Sequence, residues 1–265
     1  MERLCSRSIM SYESLCSDYK QNFDAKAYRD VSVNDFINVY HFFIRQLHDI
    51  FETDVRGSTI LDIGCGPTVY TALVASRTFD NIVLSEFLSR NREQVEKWVK
   101  NDATALDWSP IIEYVARVEC FNNLKKGSEE IAQRTRKTIS RIIPCDITTP
   151  GIVPETHRAV FDAVVSSLCL ESAIPDDIAC CSAIADIAKL ICPGGHVVLC
   201  GLTGNLGYVL GQKTFKCFSY HQQLVEFALT GAGFMKKGWI DAPHEALGSR
   251  DSLFDTAFVT WWVKL

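Results

Sequence analysis

The sequence predicts an α/β fold: a mainly parallel sheet with helices on both faces and an antiparallel hairpin at one edge. Three observations predict it. Short apolar, β-rich runs alternate with stretches of helical periodicity, the pattern of parallel strands buried on both faces. The first of these runs, Thr59 to Asp62, leads into Gly64-Cys-Gly66 and an apolar stretch that can start a helix, which is where α/β sheets bind nucleotides. The last two runs, 234–240 and 254–263, follow each other without a helix between them.

In chain order, residues 1 to about 30 are polar and mixed, with Tyr12, Tyr19, Phe23 and Tyr28 spaced through them. These aromatics read as packing for a docked segment, with a water-excluding lid as the alternative. Val33, Phe36, Ile37, Tyr40, Phe43, Ile44, Leu47 and Ile50 recur at three- and four-residue steps, an amphipathic helix of about five turns. After the first strand comes a helix over roughly 68–77, then a strand over 81–86. Ser89 to Lys100 reads as a helix with Glu93 and Glu96 set against Lys97 and Lys100. Ser109-Pro110 restarts the chain as a helix, with Ser as N-cap and Pro at the first helical position. A polar helix fills about 127–140. The third strand is Arg141 to Asp146 and the fourth Phe161 to Ser166. Ile178 to Ile191 is helical, Pro193-Gly-Gly195 turns into a fifth strand at His196 to Cys200, and a further helix occupies about 219–231. The whole chain, 1–265, is expected to form a single domain, with 1–50 as a helical cap or lid within it.

Composition narrows the function. A hydrophobic fraction of 47% suits a globular core, and no apolar run reaches the roughly 18 residues a membrane span needs. The segment Met1 to Arg7 lacks the apolar core of a secretory signal. A net charge of −5 argues against nucleic acid as partner. The cluster Lys125, Lys126, Arg134, Arg136 and Lys137, interleaved with Glu129 and Glu130, reads as the solvated face of a helix. Eleven cysteines without a Cys-x-x-Cys pair, several of them (Cys65, Cys169, Cys200) in apolar strand-like runs, read as buried thiols of a reduced, cytoplasmic protein. The six histidines show no metal-ligand spacing, and no metal is expected.

The glycine turn discriminates among nucleotides. A dinucleotide fingerprint needs a third glycine where Val69 stands, and Pro67 removes a backbone donor that a pyrophosphate would use. The remaining pattern, Asp62-x-Gly64-x-Gly66-Pro67, lets the backbone approach a ligand without phosphates. Glu86 closes the second strand about 20 residues on, placed to accept from ribose hydroxyls.

With these elements placed, the chain resembles the nicotinamide, phenylethanolamine and indolethylamine N-methyltransferases, a family of class I S-adenosylmethionine-dependent methyltransferases. The residues that carry the resemblance are Leu61-Asp-Ile-Gly-Cys-Gly-Pro-Thr-Val-Tyr70, Glu96-Lys-Trp-Val, Asp107-Trp-Ser-Pro110, Cys145-Asp-Ile147, Ser166-Ser-Leu-Cys-Leu-Glu171 and Leu190-Ile-Cys-Pro-Gly-Gly195. They run in order from about residue 20 to the C-terminus. The resemblance implies a Rossmann-like sheet of seven strands, with S-adenosyl-L-methionine as cofactor. It implies that Gly64, Gly66, Thr68 and Tyr70 line the methionine moiety and that Tyr28 closes over it. Glu86 would hold the ribose with Asn91 close to the adenosine, and Asp146 and Ile147 would take the adenine. Ser167, at the mouth of the fourth strand, would touch cofactor or substrate, and with Tyr28 it is a candidate for positioning.

The acceptor side departs from the family. Ser32 and Val33 stand where members often carry further lid tyrosines. Gly201 stands where the nicotinamide enzymes have an acid, and Cys217 corresponds to a serine that helps hold the amide. Candidate acceptor residues are therefore Gly201, Tyr208 and Cys217; the acids that grip an ammonium in the phenylethanolamine enzymes have no clear counterpart in 201–217, and Asp241, His244 and Glu245 in a late loop are the candidates for that role. The resemblance implies methyl transfer to the nitrogen of a small molecule, nicotinamide or a related pyridine, by a monomer. An arylalkylamine acceptor is the alternative, and a catalytically silent cofactor-binding protein is the reading from another class.

Overall fold

The structure is a computed structural model that describes residues 11–248 and 254–265. The Met1 to Arg7 segment considered above lies outside the described residues.

Two short helices lead in. Helix α1 (Tyr12–Asn22) starts where the Ser11 hydroxyl accepts from the Ser14 amide. Helix α2 (Ala25–Asn34) is capped by Asp24 through the Ala27 amide. Helix α3 (Ile37–Thr53) follows after a break at Asp35-Phe36, so the one long helix expected from Val33 onward is two. At the break, Phe36 packs edge-on against Phe254 and Tyr40. Helix α3 buries Val39, Tyr40, Phe43, Ile44 and Leu47 against the sheet. Among the described residues of the expected 1–50 cap, α1 and α2 stand over the cavity described below, while α3 packs on the sheet and contributes Tyr40 to the lining.

The alternating units come next: β1 (Thr59–Ile63), α4 (Tyr70–Ala75), β2 (Asn81–Glu86), α5 (Ser89–Val99), α6 (Ser109–Val118), α7 (Leu124–Thr138), β3 (Ile139–Pro144) and β4 (Phe161–Ser167). The start of α6 is capped one step earlier than the sequence suggested. Trp108 is the N-cap, and the Asp107 carboxylate accepts from the Ser109 amide. Strand β3 runs two residues ahead of expectation, which leaves Cys145 and Asp146 just beyond its C-terminal end. Lys125, Lys126 and Lys137 of α7 are exposed as expected, and Arg134 and Arg136 are partly buried. Arg134 reaches Glu119 and the Ser76 hydroxyl, and Arg136 lies over Trp98.

The second half contains α8 (Leu170–Ala173), α9 (Asp177–Lys189), β5 (Ile191–Thr203), a hairpin of β6 (Gly207–Leu210) and β7 (Lys213–Lys216), α10 (Gln222–Gly231), β8 (Phe234–Pro243) and β9 (Thr256–Lys264). The expected turn Pro193-Gly-Gly195 is an irregularity inside β5: pairing to β4 jumps from Ile191 to His196, with Gly194 at φ +77°. The hairpin was not expected. Gly211, at φ +60°, makes its two-residue turn.

The seven-stranded sheet has the order β3-β2-β1-β4-β5-β9-β8, with β9 antiparallel to both neighbours. Alternate residues face opposite layers: Ile60, Ala163 and Val198 pack with α3 to α7, and Leu61, Val164 and Val197 with α9 and α10. The order in which strands are added reverses between β1, which is followed outward by β2 and β3, and β4, which runs parallel to β1 and opens the other half. That reversal, at the C-terminal ends of β1 and β4, is where this architecture leaves a crevice.

Candidate active site

A cavity of about 950 Å³ opens at that crevice, its floor at Gly64 and Ser167 and its roof from α1, α2 and the β6–β7 hairpin. This volume is at the upper end of the range for small-molecule sites.

The floor is built by the loop after β1. Gly64 (φ +75°) and Gly66 (φ +64°) both adopt the left-handed conformation. They differ in what a side chain would meet: a Cβ at Gly64 would strike the Cys169 sulfur, whereas at Gly66 it would meet nothing within 4 Å. Gly64 is thus a packing requirement, and Gly66 is open to the cavity. Thr68 and Tyr70 also line it, and the Tyr70 hydroxyl donates to the Ser167 hydroxyl. Next to Ser167, Leu168 holds φ +56° while its amide donates to the Cys200 carbonyl at 2.9 Å. A branched residue in that conformation stores strain, at the mouth of β4.

Glu86 is 3% exposed and lines the same wall. Its Oε1 accepts from the Leu88 amide and Asn91 Nδ2, both at 3.0 Å, and lies 3.5 Å from the Tyr19 hydroxyl. Its Oε2 accepts only from the Gly66 amide, at 3.2 Å. Burial raises its pKa, and these donors oppose the rise. A buried carboxylate with one lightly loaded oxygen facing a cavity is suited to a further hydroxyl donor, so the residues present fit a nucleoside. Asn91 is fully buried and donates to Glu86 from behind, so it supports that carboxylate without lining the cavity. Asp146 and Ile147 form the far end of the cavity. Asp146 Oδ1 is taken by the Thr148 amide and hydroxyl, and Oδ2 accepts from the Tyr12 hydroxyl at 2.6 Å.

The N-terminal aromatics thus do more than pack. Tyr12 and Tyr19 reach the two carboxylates, and the Tyr28 hydroxyl is 3.0 Å from that of Tyr40, which also accepts from Ser32. Phe23 packs on Phe215 of the hairpin, and the Lys213 ammonium meets Asp18 at 2.6 Å. Burial raises the pKa values of Tyr19, Tyr28, Tyr70 and Tyr208 well above the ordinary phenol range, so these groups stay neutral near pH 7.

The opposite end of the cavity, between β4 and β5, differs from expectation. Tyr208 lines it, but Gly201 and Cys217 do not. Gly201 faces the Tyr220 hydroxyl, and the Cys217 sulfur lies 3.8 Å from the Ser172 hydroxyl, one layer behind the wall. Asp241, His244 and Glu245 are also away from the lining; His244 and Glu245 pair with each other. The acid at this end is Glu171, in α8. It is 1% exposed and accepts from the Leu202 amide at 3.1 Å and the Tyr220 hydroxyl at 3.2 Å. Burial pushes its carboxyl up to about 7. The sequence signal was present: a charged residue directly after the apolar Leu168-Cys-Leu170, just past the C-terminal end of β4. Ser172 and Asn205 flank it on the cavity wall.

All ten cysteines among the described residues are unpaired. Cys65 and Cys169 sit in the loops that follow β1 and β4, not within strands as expected, while Cys200 is in β5. Burial raises all three thiols, so none is poised as a nucleophile. No group of His, Cys, Asp or Glu among the described residues could hold a metal ion.

With this geometry in place, a family model described as "NNMT/PNMT/TEMT family" matches residues 10–246. Nicotinamide N-methyltransferase of Homo sapiens is 33% identical over 78% of this chain and 77% of its own length. Indolethylamine N-methyltransferase of Oryctolagus cuniculus is 32% identical over 76% of this chain and 81% of its own. Among solved structures, a SAM-dependent methyltransferase from Methanosarcina mazei superposes with a TM-score of 0.57 at 16% identity, covering 82% of this chain and 97% of that one, a likeness of fold.

Proposed function

The chain belongs to the NNMT/PNMT/TEMT family and is an S-adenosylmethionine-dependent N-methyltransferase, and we propose that its acceptor is a small, flat aromatic molecule, nicotinamide or a related pyridine. The observation that carries this reading is Glu171: a buried carboxylate at the proposed acceptor end of the cavity, flanked by Ser172 and Asn205 and facing Tyr208 and other aromatic side chains. It is suited to accept from the N–H of a ring substituent such as a carboxamide.

Roles for the other residues follow on the same footing. Gly64, Gly66, Thr68 and Tyr70 would line the methionine end of the cofactor, and Glu86 would accept from the ribose hydroxyls. Asp146 and Ile147 would meet the adenine, and Tyr28 and Ser167 would bound the space where the two ligands meet. The cofactor supplies, when bound, a methyl group on a sulfonium. The chain's own part is to orient the acceptor nitrogen and exclude water. Orientation of that kind contributes roughly 7–11 kcal/mol to lowering a barrier. A pyridine nitrogen carries a free lone pair at neutral pH, so no base is required of the protein.

One observation favours a second reading, an arylalkylamine acceptor. An amine arrives as ammonium and must lose its proton, and a carboxyl pushed to about 7 is matched to take it. We further propose that the protein acts as a monomer in the cytoplasm. The cavity is roofed by its own chain, and the unpaired thiols suit a reducing compartment. No helix among the described residues is long and apolar enough to cross a membrane.

The test is a methyl-transfer assay with labelled S-adenosylmethionine against nicotinamide, other pyridines, phenylethanolamines and tryptamine. Turnover of a pyridine supports the first reading, and turnover of amines alone replaces it with the second. Cofactor binding without turnover of any acceptor would overturn both in favour of a silent cofactor-binding protein.

A further inference from the structure

Gly201 of β5 has a backbone that any residue could adopt, yet it has no room for a side chain. A Cβ built there stands 2.1 Å from the Tyr220 hydroxyl oxygen and 3.0 Å from the Phe258 ring. Tyr220 occupies that space. It is 2% exposed, its ring is edge-on to Phe258 at 5.9 Å, and its hydroxyl donates to Glu171 Oε2. The Leu202 amide, next to Gly201 in β5, donates to Oε1. The Glu171 carbonyl in turn accepts from the Phe218 amide at 2.7 Å. Glu171 is thereby held by β5 on one side and by the segment after β7 on the other. Tyr220 does not itself line the cavity, so any influence it has on the acceptor passes through Glu171.

We propose that Gly201 and Tyr220 form a specificity-determining pair, in which Tyr220 fills the gap left by Gly201 and fixes the orientation and charge state in which Glu171 meets the acceptor. The proposal rests on the acceptor reading above and identifies the acceptor class further: a molecule that directs an N–H donor at Glu171. Tyr220 is a positioning residue.

The surroundings of Glu171 make its titration legible. The titratable groups that face it are the thiols of Cys169, Cys180, Cys200 and Cys217 and the phenols of Tyr208 and Tyr220. Burial raises every one of them, to about 12 for Cys180 and Cys217, so all are neutral near pH 7. Burial also raises Glu171, and the Tyr220 and Leu202 donors oppose that rise by favouring the carboxylate. Removing the Tyr220 hydroxyl should therefore move the Glu171 titration to higher pH.

The experiment uses the full chain in four variants: Tyr220→Phe, Gly201→Ala, the double variant, and Glu171→Gln as spectral reference. The carboxyl infrared band lost in Glu171→Gln isolates the Glu171 titration from that of other buried acids. Acceptor KM and kcat are measured against pH in parallel. Tyr220→Phe is expected to raise the titration midpoint and to raise acceptor KM several-fold, with a smaller change in kcat. Gly201→Ala should do the same, because its methyl group displaces the hydroxyl. The double variant should match Tyr220→Phe and not the sum of the two, since both changes remove one interaction. An unchanged midpoint in Tyr220→Phe, or additive effects in the double variant, would overturn the proposal. Should Gly201→Ala fail to fold, Tyr220→Phe alone decides. The infrared midpoint needs no turnover, so absence of any acceptor turnover in the parent protein would defeat the acceptor reading while the hold of Tyr220 on Glu171 is still judged by its own signal.

Discussion

At the scale of single residues, two buried carboxyl groups, Glu86 and Asp62, differ in their partners. Glu86 has four neighbouring donors and one lightly loaded oxygen on the cavity. Replacing Glu86 by Ala should weaken S-adenosylmethionine binding by about 1–3 kcal/mol, roughly 5- to 150-fold, because ligand hydroxyls lose a charged acceptor. Calorimetry that returns an unchanged affinity would remove Glu86 from the site. Asp62 is 2% exposed, accepts from the Thr71 hydroxyl, and leaves its Oδ1 without a hydrogen-bond partner. Burial is the main cause that pushes it from the ordinary 3.8 to about 7. The folded-state value is raised, so both states are protonated below about pH 4, and only the unfolded chain ionises between there and about pH 7. Stability contributed at this position is thus lost as pH rises through that window. Asp62→Asn does not titrate, so its stability relative to the parent should improve between pH 4.5 and 7.5, by on the order of a few kcal/mol. Denaturant unfolding at the two pH values measures it, and a difference between parent and variant that does not change with pH would refute the assignment.

At the scale of elements, the roof of the cavity is made of pieces that would be marginal alone. Helix α1 buries no residue of its own, and the β6–β7 hairpin has four residues per strand. They hold each other through Phe23, Leu210 and Phe215, with Leu88 below. Tyr28 fastens this roof to the core by its hydroxyl contact with Tyr40 of α3. Tyr28→Phe keeps the ring against Phe23 and removes the hydroxyl, so turnover should fall several-fold while the melting temperature moves little. Equal turnover would mean that Tyr28 is packing only. These elements are also where the sequence was least legible. Strands β1, β2, β4 and β5 declare themselves as apolar runs because both faces of a parallel sheet are buried. Helix α1 is polar with widely spaced tyrosines, and the hairpin is too short and too rich in glycine for a period-2 pattern to emerge. That Gly66, Glu86, Asp146 and Ser167 line one cavity was legible for the same reason as the core strands, since they lie at or just past strand ends. The acceptor side was not. Which way Gly201 points, and that Tyr220 fills the space beside it, depends on packing between segments far apart in the chain.

At the scale of the whole molecule, the sheet order brings segments from along the chain to a single crevice: the loops after β1, β2, β3 and β4 and the end of β5 form the floor and walls, and α1–α2 and the hairpin form the roof. No segment of the cavity lining calls for a second copy. Among the described residues, the exposed large apolar side chains include Ile178 of α9, Phe227 of α10, Leu206 and Val209 at the hairpin, and Met235 and Ile240 of β8. Stable association between copies ordinarily buries on the order of 800 Å² per partner with a contiguous apolar centre. These residues are spread over three regions of the fold, and exposed apolar residues in small groups are ordinary surface. The protein should therefore sediment as one chain at micromolar concentration, and its activity per chain should stay constant on dilution. Sedimentation velocity combined with a dilution series of the methyl-transfer rate measures both. A species of twice the chain's mass whose dissociation lowers the specific rate would mean that the site is completed across an interface, and the roof formed by α1, α2 and the hairpin would be the place to look for it.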